Sequence, residues 1–112
     1  MQWVMDRVST AHLRWAYPWK TLLQSGVVVA GGSDAPIETC CPFTGMHDAI
    51  LRQSRDDEED IFRPEERVDF AEALWMYTIG AAYAANSEHF LGQVYHEYTH
   101  VWYVLDCVVT LL

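Results

Sequence analysis

A short run of valines between glycines constrains the fold of this chain most. Gly26 precedes Val27-Val28-Val29-Ala30, and Gly31-Gly32-Ser33-Asp34 follows directly. β-Branched residues without polar alternation are typical of a strand buried on both faces, as in a parallel sheet. The residues from Trp19 to Ser25 predict a short helix before this strand, ended by Gly26. A helix, a buried strand and a polar loop in this order predict an α/β fold.

Two further helices are predicted after the polar loop. Phe43 to Gln53 forms the first. Asp69 and Glu72 have the spacing of a capping box, in which each side chain accepts a hydrogen bond from the other residue's backbone N–H. This spacing predicts that a second helix begins there and continues to about Ala85. The apolar stripe predicted for that helix consists of Phe70, Leu74, Tyr77 and Ala81.

The composition excludes several classes of protein. The chain of 112 residues has 16 acidic and 7 basic side chains and a net charge of -9, which argues against nucleic acid and against anionic membrane surfaces. Its three cysteines have no CxxC spacing, so reduced thiols are expected rather than a disulfide framework. No basic and apolar leader stands at the N-terminus, and every apolar stretch is shorter than the ~20 residues that span a bilayer. The sequence therefore predicts a cytoplasmic location.

Asp34 is the first candidate for chemistry. It follows the C-terminal end of the predicted strand, where α/β barrels and open α/β sheets build their active sites. The alternative is an aspartate that only shapes a turn. Ser33 and Glu38 lie in the same loop and are candidate substrate contacts, although a loop carboxylate such as Glu38 more often only faces solvent.

The run Gly-Gly-Ser-Asp-Ala-Pro at residues 31–36, with its flanks, resembles the last-strand region of the amidohydrolase superfamily. Within it, the amidohydrolase-3 group, which includes N-substituted formamide deformylases, is the most similar branch. The resemblance covers about residues 14–106. The segments that carry it are residues 17–23, 26–38, 42–46, 72–74, 77–79, 81–83, 91–92 and 104–106.

This resemblance implies a (β/α)₈ barrel, which needs about 250 residues. The chain is therefore expected to be a C-terminal α/β fragment of a metal-dependent hydrolase barrel. Residues 1–90 would supply the last barrel strand and its following helices, and residues 91–112 would supply strands of the flanking small β domain. A fragment of this kind leaves strand edges uncovered, so self-association or a partner is expected.

The resemblance also implies the chemistry. The parent enzyme would hydrolyse a non-peptide carbon–nitrogen bond of a small amide or formamide. Asp34 would be both a ligand of a divalent metal, expected to be zinc, and the acceptor of a proton from the attacking water. The histidine and other ligands of such sites come from earlier strands that this sequence lacks. The isolated chain is therefore expected to be inactive, and a non-catalytic remnant that packs against a partner is the alternative function.

A competing motif lies near the C-terminus. His96-Glu97-Tyr98-Thr99-His100 matches H-E-x-x-H, which on a helix is the zinc site of a metalloprotease. The flanking residues favour strands, however, and in a strand the two histidines would lie about 13 Å apart. That separation is too large for one ion, since zinc–nitrogen bonds are about 2 Å. We therefore expect that this motif binds no zinc.

Overall fold

The structure, a computed structural model, describes residues 2–53 and 60–93, and in this part of the chain helices dominate. The only β pairing within those ranges is an isolated antiparallel bridge between Gln53 and Ile61. None of the described helices is long and apolar enough to cross a membrane. In chain order the elements are α1 (Gln2–Arg7), α2 (Thr10–Leu13), α3 (Trp19–Gln24), α4 (Pro42–Leu51), a 3₁₀ turn (Pro64–Glu66), α5 (Phe70–Trp75), a π-helical turn (Met76–Gly80) and α6 (Ala81–Ala84).

The helices α3 and α4 form where the sequence predicts them. α3 ends before Gly26, whose φ of +83° belongs to the left-handed region that favours glycine. α4 begins at Pro42, one residue earlier than predicted, and ends at Leu51. Arg52 follows in the left-handed conformation, and its N–H donates to the carbonyl of Asp48.

The capping box at the start of α5 is confirmed. The N–H of Glu72 donates to Oδ1 of Asp69 over 2.8 Å, and the N–H of Asp69 donates to Oε2 of Glu72 over 2.8 Å. The helical path continues through the π-helical turn into α6 and ends at Ala84. Asn86 follows with φ of 52°, a conformation that asparagine tolerates better than most residues.

The predicted apolar stripe of this helix is wrong in its first half. Phe70 is 65% exposed and Leu74 is 37% exposed, whereas Tyr77 and Ala81 are buried. The π-helical turn between the two halves is the physical reason, because its wider i→i+5 spacing changes which residues share a face. Ala73 and Met76 are the residues that α5 and the π-helical turn bury in place of Phe70 and Leu74.

The predicted buried strand at Val27 to Ala30 is also wrong for the described structure. These residues form no strand, Val27 is 51% exposed and Val28 is 38% exposed. A strand exists only through backbone hydrogen bonds to a neighbouring strand. Residues 2–53 and 60–93 offer no such neighbour, and the segment lies instead beside the π-helical turn, where the N–H of Gly31 donates to the carbonyl of Met76 over 2.9 Å.

The hydrophobic core lies between α4, the α5–π-helical segment and the chain before α5. The N–H of Val68 donates to the carbonyl of Ala49 over 3.3 Å and joins the chain before α5 to α4. Val29 is partly buried and packs on the same core, so the valine run is attached to it through one side chain. The buried members of the core are Met46, Ala49, Val68, Ala73, Met76 and Tyr77.

Buried and half-buried charges attach α3 to the rest of the molecule. Glu66, 3% exposed, accepts hydrogen bonds from the N–H of Thr21 over 2.9 Å and from its hydroxyl over 2.5 Å. Arg63 donates to the same carboxylate over 3.1 Å. Lys20 of α3 also donates to Glu72 of α5 over 2.5 Å. These contacts fix the helix from which the Asp34 segment leaves.

Arg52 is fully buried and joins three parts of the chain. Its Nε donates to the carbonyl of Phe62 over 2.8 Å, and its Nη1 donates to the carbonyl of Tyr17 over 3.1 Å. The guanidinium lies 4.8 Å from the centre of a Trp19 ring and 5.6 Å from that of Phe62, within the range of cation–π attraction. Burial lowers the pKa of Arg52, the charge of Arg63 lowers it further, and Glu66 opposes both.

Candidate functional site

Asp34 lies in an exposed turn after the valine run. Its φ of 55° places it in the left-handed region, where aspartate is among the few residues found often. The N–H of Ile37 donates to the carbonyl of Asp34 over 2.9 Å and closes the turn. The Asp34 side chain is exposed, so it is accessible to a ligand or to water. The structure therefore presents this carboxylate at the surface, on a defined turn.

Ser33 and Glu38 flank Asp34 on the same loop. The hydroxyl of Ser33 accepts a hydrogen bond from the N–H of Ala35 over 3.2 Å, a local contact that shapes the turn. Glu38 is exposed. The structure thus places all three predicted site residues on one short surface loop, and their roles toward a substrate stay predictions.

The loop is rooted on the helical core at its N-terminal side. Gly31 is buried and its N–H donates to the carbonyl of Met76. Gly80 is buried close to the carbonyl of Val29, so close that a β-carbon at residue 80 would overlap that oxygen. The backbone before Ser33 therefore rests against the π-helical turn, and the exposed turn begins only a few residues beyond this contact.

The described residues do not by themselves fit a catalytic metal. A catalytic zinc typically has three protein ligands. Within residues 2–53 and 60–93, no group of three or more histidine, cysteine, aspartate or glutamate side chains could hold an ion. Asp34 can supply one carboxylate, and any other ligands would have to come from outside the described residues.

Two predictions concern residues outside the described part of the chain. The H-E-x-x-H motif with His96 and His100 lies within residues 94–112, and so does nearly all of the predicted small β domain at residues 91–112. Both remain predictions from the sequence.

Comparison with known proteins settles the family. The profile of the amidohydrolase family matches residues 1–95. The chain belongs to this family. Its members generally use divalent metals, but the match gives neither a particular metal nor a substrate, and the role of Asp34 as a ligand stays a prediction.

Two curated proteins resemble this member of the amidohydrolase family. It is 36% identical over 105 residues to the protein named "Putative amidohydrolase YtcJ" of Bacillus subtilis (strain 168), an alignment that covers 93% of this chain and 20% of YtcJ. It is 33% identical over 79 residues to the protein LONG AFTER FAR-RED 3 of Arabidopsis thaliana, covering 70% of this chain and 13% of that protein. The chain therefore spans a fifth or less of these relatives. No solved structure matches it significantly.

Sequence reasoning did not identify the buried polar residues that join distant segments, or the contact between Tyr77 and Gly31. Arg52 and Glu66 are buried and contact Tyr17 and Thr21, whereas the burial of Tyr77 was predicted but its place against Gly31 was not. Polar residues inside an apolar pattern are usually solvent-facing, so Arg52 and Glu66 gave no signal of their own. Gly45, inside α4, does indicate a close contact in the sequence. Glycine destabilises a helix, so its presence there is explained when another group packs closely against it.

Proposed function

We propose that this chain forms the Asp34-bearing part of a metal-dependent amidohydrolase that cleaves a non-peptide carbon–nitrogen bond, such as that of an N-acyl compound or a formamide. The observation that carries the proposal is the exposed carboxylate of Asp34 on a loop rooted in the helical core of an amidohydrolase-family chain. A carboxylate in this position can accept a proton from water during attack on an amide carbonyl. Ser33 and Glu38 are proposed to contact the substrate from the same loop.

The metal is part of the proposal and not of the described site. Asp34 would be one ligand, zinc is the ion we expect, and the remaining ligands would come from other segments of a complete barrel. Support comes from the coverage, since the chain matches only 20% of YtcJ. On this proposal residues 1–90 belong to the barrel and the isolated chain lacks most of the ligand set.

The experiment replaces the matching segment of YtcJ with this chain and measures bound divalent metal and hydrolysis of a panel of N-acyl and formamide compounds. The chimera is expected to hydrolyse at least one of them. Asp34→Asn should lower kcat by about 10²–10⁴, the range for loss of a general base. Asp6→Asn, on the exposed surface of α1, is the matched control and should leave kcat unchanged.

Two outcomes would contradict the proposal. Hydrolysis by the chimera that survives Asp34→Asn would show that this carboxylate is not catalytic. Metal-dependent hydrolysis by the 112-residue chain alone would show that the chain builds a complete site without other segments.

We also propose that a partner, or a second copy of the chain, covers the surface around the valine run. Val27, Val28 and Ile37 are 51%, 38% and 75% exposed and lie close together in sequence on either side of the Asp34 turn. Exposed apolar side chains favour association, because covering them removes apolar surface from water.

A further inference from the structure

The ring of Tyr77 fills a slot that only glycine can line. Tyr77 is 7% exposed and lies between the backbone at Gly31 and the backbone of α4 at Gly45. A β-carbon at Gly31 would lie 2.5 Å from Cδ2 and Cε2 of Tyr77, and a β-carbon at Gly45 would overlap its hydroxyl oxygen. Real β-carbons essentially never make contacts under 3.0 Å, so either substitution must move the ring or the backbone.

The π-helical turn that carries Tyr77 holds the same segment through its backbone. The carbonyl of Met76, the residue before Tyr77, accepts the hydrogen bond from the N–H of Gly31 over 2.9 Å. One helical turn later, Gly80 leaves room for the carbonyl of Val29. Residues 29–31 are thus fixed by one side chain and two backbone contacts. π-Helical turns within α-helices occur frequently at functional sites.

The fixed segment lies next to the proposed catalytic carboxylate. Asp34 is three residues after Gly31, which limits their Cα separation to about 10–11 Å. The turn between Asp34 and Ile37 is closed by its own hydrogen bond, so it can move as a unit with the backbone that leads into it. A displacement of Gly31 therefore changes the position of the Asp34 turn.

We propose that Tyr77 is a positioning residue, which places the Asp34 carboxylate by holding Gly31 against α4. The catalytic meaning of this role rests on the function proposed above. Precise placement matters for such a group, because moving a catalytic side chain by about 1 Å can reduce the rate of the reaction about 10²-fold. A buried ring between two backbones is suited to this task, since it cannot shift without moving one of them.

The test reads the position of Asp34 in the 112-residue chain by NMR, without substrate or metal. Gly45→Ala should shift the side-chain carboxyl carbon resonance of Asp34 at constant pH, while those of Asp6 and Asp69 stay in place. It should also speed hydrogen exchange at the N–H of Gly31 about tenfold relative to wild type, as expected for a locally opened contact. An unchanged Asp34 resonance in a folded Gly45→Ala chain would overturn the proposal.

Rescue by a conservative change separates positioning from general damage. Adding Tyr77→Phe removes the hydroxyl that the new β-carbon would overlap, although the ring carbon behind it would still be 2.7 Å away. The double variant should therefore return the Asp34 resonance part of the way to its wild-type position. An Asp34 resonance equally displaced in both variants would mean that Tyr77 does not transmit the change.

A second variant covers the case in which Gly45→Ala does not fold. Tyr77→Leu empties the slot without overlap, and it should broaden or split the Asp34 resonance and speed exchange at Gly31. A single sharp Asp34 resonance at the wild-type position in Tyr77→Leu would also overturn the proposal. These NMR measurements need no hydrolysis. The positioning role of Tyr77 can therefore be disproved while the YtcJ chimera is active, and it can be supported while the chimera is inactive.

Discussion

At the scale of single residues, Glu66 shows how one buried carboxylate can organise a small chain. Burial alone would raise its pKa, but hydrogen bonds from the hydroxyl and N–H of Thr21 and the charges of Arg63 and Arg52 outweigh burial, so the pKa of Glu66 lies below its ordinary value. The ionised form is thus the one that the fold stabilises. Removing it would leave the N–H and hydroxyl of Thr21 without their acceptor and take from Arg63 its buried carboxylate partner, although Arg63 also pairs with the exposed Glu65.

Glu66→Ala should therefore lower the free energy of unfolding by about 3 kcal/mol, within the range for breaking a buried ion pair. Glu65→Ala is the matched control, because Glu65 pairs with the same Arg63 but its side chain is 61% exposed. That change should cost less than about 1 kcal/mol, as exposed pairs do. Urea denaturation of both variants measures the difference, and equal losses would refute the assigned role of Glu66.

The same carboxylate predicts a pH dependence. Since the pKa of Glu66 is lowered on folding, the unfolded chain binds its proton first as the pH falls. The stability that Glu66 contributes is then fully present above the ordinary glutamate value of 4.5 and is lost as the pH falls below it through the folded pKa. The advantage of wild type over Glu66→Gln, measured by urea denaturation, should shrink in that range. An advantage that is constant from neutral pH down to pH well below that value would contradict this assignment.

At the scale of elements, the start of α5 depends on its capping box. Asp69→Ala removes the acceptor for the N–H of Glu72 and should lower the free energy of unfolding by about 1 kcal/mol. Asp69→Asn keeps a side-chain oxygen at the cap, so it should cost only a fraction of that. Thermal unfolding followed by circular dichroism compares the two, and an equally large loss in both would mean that the charge of Asp69 matters more than its cap.

At the scale of the whole molecule, the exposed apolar surface predicts association. Val27, Val28 and Ile37 would be removed from water in a dimer or a complex. Analytical ultracentrifugation over a range of concentrations should show species larger than the monomer. Val28→Lys should shift the equilibrium toward monomer, because a lysine ammonium is costly to cover.

A matched control for this experiment is Phe90→Lys, since Phe90 is 66% exposed but follows α6, remote in sequence from the valine run. It should leave the association unchanged if the valine surface is the contact. A wild-type chain that stays monomeric at every concentration would rule out self-association. The proposed cover of the valine run would then have to be a different protein.

The sequence by itself determined the features that are encoded locally. Gly26 ends α3, Asp69 and Glu72 cap α5, and Asn86 takes the left-handed conformation after α6, because each effect depends on residues within one turn of helix. The position of Asp34 in a turn was predictable for the same reason. The run around Asp34 also indicated the amidohydrolase family, to which the profile match assigns the chain.

Only the tertiary structure decided what depends on distant neighbours. The valine run has strand-forming residues, yet a strand needs a partner, and the described residues give the run a helix to lie against instead. The π-helical turn changed which residues of the α5 segment are buried. The spacing of apolar residues in the sequence assumes a regular α-helix and could not show this change. The contacts of Glu66 with Thr21 and of Tyr77 with Gly31 join residues about 45 positions apart, a distance over which local sequence preferences carry no information.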